Sequence, residues 1–165
     1  MNATRLTAAL AIALLGACST HAPQATAPSL AEPAPKVSLY FSADAGLNPG
    51  ATGEPAPVRV RVYELKHGAG FARADYFALA DQARATLGDD LLDQDEVLLR
   101  PGQQLRVDRP LNPATRQIGL VVGYREIDQA RWRSLLAVPP LDYQISLDAR
   151  AVRSAEATSQ PEPVR

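Results

Sequence analysis

The 165-residue chain has a single cysteine, Cys18, so no disulfide can form within it. Its two histidines, His21 and His67, are too few and too isolated to build a histidine-based metal or nucleophile site. No HExxH, paired CxxC, GxSxG or glycine-rich phosphate loop is present, and with them go the signatures of zinc proteases, zinc ribbons, serine hydrolases and nucleotide-binding enzymes. An excess of one charge is also missing. Seventeen basic residues stand against 18 acidic ones, so no basic surplus points to nucleic acid or anionic lipid. No apolar run approaches the about twenty residues of a membrane-spanning helix. What remains is a chain that must be held by its apolar core alone.

The cysteine itself is well placed. Arg5 precedes an aliphatic run from Ala8 to Leu15, and Leu15-Gly16-Ala17-Cys18 follows. A charged start, a short apolar stretch and a small-residue cleavage site make a secretory signal. A thiol just after the cut is the acceptor of a bacterial lipoprotein's diacylglycerol, and a further acyl chain goes on the freed amine. One chain binds membrane reversibly, at about 0.8 kcal/mol per buried methylene, whereas three anchor permanently. Ser19, where an aspartate would favour inner-membrane retention, points to the periplasmic face of the outer membrane. The chain is expected to divide into a signal over 1–17, a lipidated Cys18 with an Ala/Pro-rich linker over 18–35, a folded domain over 36–152 and a flexible tail over 153–165.

From Lys36 onward the apolar period is two. Val37, Leu39 and Phe41; Val58, Val60 and Val62; Leu105 and Val107; Ile118, Leu120 and Val122; and Tyr143, Ile145 and Leu147 each alternate with other residues, as strands with one buried face do. With Trp132, these are the expected core. Glu96–Arg100 and Trp132–Val138 read as further strands, and Pro101-Gly102 as a type II turn. Seven or so short strands predict an all-β, antiparallel two-sheet sandwich. Tyr76, Ala80, Ala83 and Leu87 recur at helical spacing between Asp75, a capping residue, and Gly88, a stop. They predict a helix over 76–87, inserted between the second and third strands.

The acidic group Asp89, Asp90, Asp93, Asp95 and Glu96 lacks the spacing of a calcium loop and has no catalytic partner motif, so it reads as a solvated helix-to-strand turn. Arg131-Trp132-Arg133 reads as core and flank rather than a nucleic-acid platform. No catalytic residue, cofactor, metal or small-molecule substrate is indicated. Binding by shape remains, and Asp44–Pro57 is the notable segment. It separates two strong strands and carries three prolines and three glycines. A simple hairpin needs two to five residues, and long connections are often functional.

These features resemble the TssJ family (SciN/VasD), the outer-membrane lipoproteins of the type VI secretion system. The carriers are Leu47-Asn48-Pro49, the run Pro57 to Leu65, Phe71 with Asp75, Phe77 and Leu79, Thr86-Leu87-Gly88, Pro101-Gly102, and Tyr124-Arg125 followed by Trp132-Arg133, all behind the lipidation signal. The resemblance implies a transthyretin-like sandwich. It implies a partner, the periplasmic C-terminal region of TssM, in a complex with TssL. It also implies that the loop after the first strand, Asp44–Pro57, makes the contact; within it Asp44, Leu47, Asn48, Pro49, Gly50, Gly53, Glu54 and Pro55 are the expected contact residues. Leu47, apolar in a polar stretch, is expected to be an exposed anchor. Two other readings stand beside it: an unrelated transthyretin-like carrier with a ligand between its sheets, and a hydrolase using the acidic turn.

Overall fold

The computed structural model describes residues 34–157. Cys18, the 1–17 signal, nearly all of the linker and the tail beyond residue 157 lie outside the described residues.

Eight strands follow in order: β1 (Lys36–Ala43), β2 (Val58–Leu65), β3 (Leu91–Leu99), β4 (Gln104–Pro110), β5 (Gln117–Val122), β6 (Arg133–Ala137), β7 (Asp142–Leu147) and β8 (Val152–Glu156). They form two four-stranded sheets, ordered β4-β1-β7-β8 and β3-β2-β5-β6. The neighbours are antiparallel except β1 and β7, which run parallel with Leu39 opposite Tyr143 and Phe41 opposite Ile145. The expected sandwich is therefore present, with one parallel pair inside it. Along one margin the sheets meet directly, where the Ser134 and Ser154 hydroxyls lie 2.7 Å apart.

The period-two pattern forms the core. Val37, Leu39, Phe41, Val58, Val60, Val62, Ile118, Leu120, Val122, Tyr143, Ile145 and Leu147 are all buried between the sheets, with Leu105, Val107 and Trp132 packed against them in partial burial. β2 and β5 are covered on their other face too. There Tyr63, Leu65 and Val121 meet Phe71, Leu79, Ala83, Leu87 and Leu91 in a second cluster. This is how the helical insertion buries its apolar stripe.

The insertion contains more than the one helix expected. A short α1 (Ala69–Arg73) precedes α2 (Tyr76–Leu87). Asp75 caps α2 as its residue type predicts, its Oδ1 accepting the Ala78 N–H at 2.9 Å, and Gly88 ends it at a φ of 54°. The helix breaks at Gln82, where φ is −134°. The Ala78 and Leu79 carbonyls near the break accept from the Thr86 and Tyr63 hydroxyls, at 3.0 and 2.8 Å. Gly119 of β5 makes room for the insertion: a Cβ there would stand 2.6 Å from the Phe71 ring.

Two boundaries differ from expectation. β3 begins at Leu91, so Asp93, Asp95 and Glu96 lie on an exposed edge strand rather than in a turn. Charges suit that position, because an edge left apolar invites pairing with another chain. β8 runs to Glu156, so residues 153–156, expected to be flexible tail, are the sandwich's last strand. It forms by backbone pairing with β7, Leu147 opposite Val152 and Tyr143 opposite Glu156, and its exposed side chains leave no apolar period to read.

Glu64 was not anticipated. It is 1% exposed, inside β2. Its carboxylate accepts from Arg109 Nη2 (2.8 Å), the Asn112 N–H (2.9 Å) and Thr115 Oγ1 (2.7 Å). Since Arg109 lies on β4, this clasp joins the two sheets. A buried carboxylate is tolerable only when so fully bonded.

Candidate functional site

The acidic stretch is occupied with bases. Asp90 lies 2.8 Å from His67 Nδ1, Asp93 2.8 Å from Arg109, and Glu96 3.6 and 3.9 Å from Arg59 and Arg61. The exposed pairs among these, His67–Asp90 and Arg59–Glu96, contribute about 0–1 kcal/mol each. Among the described residues no group of three or more His, Cys, Asp or Glu converges as metal ligands, and no helix is long and apolar enough to cross a membrane. The space between the sheets, where a transthyretin-like carrier would hold a ligand, is filled by the apolar cluster.

The connection between β1 and β2 is different. Fourteen residues, Asp44 to Pro57, are knit into a stem and a tip. In the stem, Asp44 Oδ1 accepts the Gly46 N–H at 2.7 Å, and the Ala56 N–H donates to the Leu47 carbonyl at 2.9 Å, tying the two sides together. Leu47 and Ala56 are both buried. Asn48 is the keystone. Its φ is 51°, a left-handed conformation that asparagine tolerates better than most residues. Its Nδ2 donates to the Pro57 carbonyl at 2.9 Å, and its Oδ1 accepts the Arg125 N–H at 2.8 Å. Its own N–H donates to the Ala149 carbonyl at 3.1 Å. Loop, β5–β6 connection and β7–β8 turn are thereby locked together at one end of the sandwich.

The tip is the exposed part. The Gly50 N–H donates to the Glu54 carbonyl at 3.2 Å, and the Gly53 N–H returns to the Gly50 carbonyl at 2.9 Å, with Gly53 at a φ of 81°. Ala51, Thr52, Gly53, Glu54 and Pro55 all face solvent. Behind them lies Arg125, close enough to Gly50 that a Cβ there would sit 2.7 Å from Nη1. Nearby charges are paired: Glu126 with Arg150 at 2.7 Å, and Asp148 with Arg153.

The eight residues expected to form the contact therefore divide. Gly53, Glu54 and Pro55 are at the tip, and Asp44 is exposed at the loop's start. Pro49 and Gly50 are half-buried. Leu47 and Asn48 are buried, which corrects the expectation of an exposed leucine anchor. An apolar residue in a polar loop can face a partner or its own core, and Leu47 has gone to the core. Thr52 and Arg125 complete the surface and were not picked as site residues. Tyr124-Arg125 carries part of the family resemblance, but its place beside the loop was not legible there, because Asn48, distant in sequence, holds it.

Comparison with known proteins follows the same course. The family model described as type VI secretion lipoprotein, VasD, EvfM, TssJ, matches residues 35–154. No curated protein sequence matches. Among solved structures, the type VI secretion lipoprotein TssJ1 from Pseudomonas aeruginosa is 46% identical with a TM-score of 0.74, over 78% of this chain and 100% of that one. Serratia marcescens Lip, a membrane bound component of the type VI secretion system, is 31% identical with a TM-score of 0.71, over 77% and 99%. A chain in a structure described as the TssM C-terminal domain from EAEC is 28% identical with a TM-score of 0.65, over 74% and 98%. The chain belongs to the TssJ family of type VI secretion lipoproteins.

Proposed function

We propose that this lipoprotein is anchored in the outer membrane through acylated Cys18 and binds the periplasmic C-terminal region of TssM with the exposed tip of its β1–β2 loop. It thereby ties the TssJ–TssL–TssM complex to that membrane. The observation that carries the reading is the division of the loop into a buried stem and a solvent-facing tip. Three glycines raise the entropy cost of ordering this loop, three prolines lower it, and hydrogen bonds at Leu47, Asn48 and Ala56 pin it. A tip held in one shape before it meets a partner loses less entropy on binding. The relative found in a structure described as the TssM C-terminal domain supports the choice of partner. The role is one of assembly rather than catalysis, in keeping with a family of membrane-complex lipoproteins.

The test is co-purification from cells. The full-length protein should bring TssM with it, and a variant with Thr52, Glu54 and Pro55 changed to alanine should not, although it reaches the membrane in equal amount. TssM recovered equally with both would remove the loop from the interface.

A further inference from the structure

The β5–β6 connection has two ends with different neighbours. Arg125, at its start, is bonded to Asn48 of the β1–β2 loop. Ile127, Asp128 and Ala130, farther on, line a shallow pocket of about 340 Å³ with Asp75, Tyr76, Phe77 and Trp132. Phe77 is 63% exposed, the most exposed large apolar side chain among the described residues. It meets Tyr76 edge-on at 5.3 Å between ring centroids, and Tyr76 meets Trp132 edge-on at 5.4 Å. Resting on the proposed role of the loop, we infer that the TssM-binding surface continues across this connection, and that the pocket takes an arginine or lysine side chain of TssM.

Two observations support this occupant. Loop and pocket share one element, since the β5–β6 connection is pinned to the loop at one end and forms the pocket wall farther on. The charge is complementary. Asp75 and Asp128 stand at the rim, and neither has a basic side chain within 4 Å among the described residues. One Asp75 oxygen caps α2, whose positive end it offsets. Arg73, Arg131 and Arg133 are the cations nearest in sequence; none pairs with either acid, and the Arg133 guanidinium is engaged, 5.0 Å over the Trp132 ring and donating to the Ala74 carbonyl at 2.8 Å. The exposed Phe77 ring beside Asp128, with the capping Asp75 close by, suits a basic side chain, whose aliphatic stem packs on the ring while its charge reaches the acids.

The experiment measures the affinity of the mature lipoprotein, extracted in detergent, for the periplasmic region of TssM. Phe77→Ala, Phe77→Tyr and Asp128→Asn are compared with wild type and with the loop-tip variant, and melting temperature is recorded for each. The Phe77 ring is largely in water and Asp128 is exposed, so all three should melt as wild type does. Phe77→Ala and Asp128→Asn should each weaken binding by about fivefold. Phe77→Tyr should bind normally, and Asp128→Asn should bind with reduced sensitivity to salt. If the tip variant loses affinity while Phe77→Ala and Asp128→Asn do not, the pocket proposal falls and the loop reading stands. If Phe77→Ala alone weakens binding, the occupant is apolar and the cationic assignment falls. If none of the variants changes affinity, both readings fall.

Discussion

Asn48 and Glu64 show how single polar side chains position the site. Asn48 closes three segments onto one another, and alanine cannot replace either side-chain bond or the tolerance of a φ of 51°. Asn48→Ala should cost about 1–3 kcal/mol, read by chemical denaturation, because the Arg125 N–H and the Pro57 carbonyl lose their partner. It should also weaken TssM binding without touching the exposed tip. Glu64→Gln leaves Arg109 with Asp93 at 2.8 Å and Asp95 at 3.8 Å as its remaining anions, on the exposed side. The loss should fall toward the low end of the about 3–5 kcal/mol seen when one member of a buried pair is removed. An unchanged denaturation midpoint for Glu64→Gln would mean that the clasp adds nothing to the joining of the sheets.

At the scale of elements, the seam between helices and sheet depends on a missing side chain. Gly119→Ala puts a Cβ where the Phe71 ring lies, and overpacking of this kind costs about 1–3 kcal/mol. Phe71→Leu loses packing alone, but combined with Gly119→Ala it should recover part of the loss, a coupling that a double-mutant cycle measures. Additive effects would place the clash elsewhere. The same elements show what sequence reading can reach. β1, β2, β5 and β7 were legible because their inward faces are uniformly apolar. β3 was legible only at its end, since an edge strand carrying Asp93, Gln94, Asp95 and Glu96 has no hydrophobic period. β8 gave no signal because its one core residue, Val152, makes no period, and backbone pairing with β7 defines the rest. α1 is too short for a helical period to show. In the loop, length and proline content were legible, but the orientation of Leu47 was not. That depends on the Ala56 and Ala149 backbone bonds, which no local pattern encodes.

For the whole molecule, the pH response follows from buried phenols. Burial, the largest cause, pushes Tyr63 from its ordinary 10.0 up to about 12, and it raises Tyr124 and Tyr143 as well. The unfolded chain therefore loses these protons first. The stability Tyr63 contributes is fully present below about pH 10 and declines from there through about pH 12. Alkaline unfolding followed by circular dichroism, together with phenolate absorbance, should show the two changing together. Separate transitions would mean that these tyrosines ionise within the folded protein. Anchoring belongs to this scale too. Cys18→Ser should abolish incorporation of labelled fatty acid and leave the sandwich folded, and persistent label would contradict acylation at Cys18. Replacing the entire loop with a two-residue turn would damage the fold, since it removes Leu47 and Ala56 from burial. Only the tip can be altered as a clean test of binding.

That alteration is the most direct measurement of the central claim. The mature lipoprotein and its Thr52→Ala/Glu54→Ala/Pro55→Ala variant are titrated with the periplasmic C-terminal region of TssM by calorimetry, and both are melted in the same buffer. The expected result is an affinity at least about tenfold weaker, or 1.4 kcal/mol, at an unchanged melting temperature. Equal affinity in a variant that melts like wild type would place the TssM contact outside the β1–β2 loop.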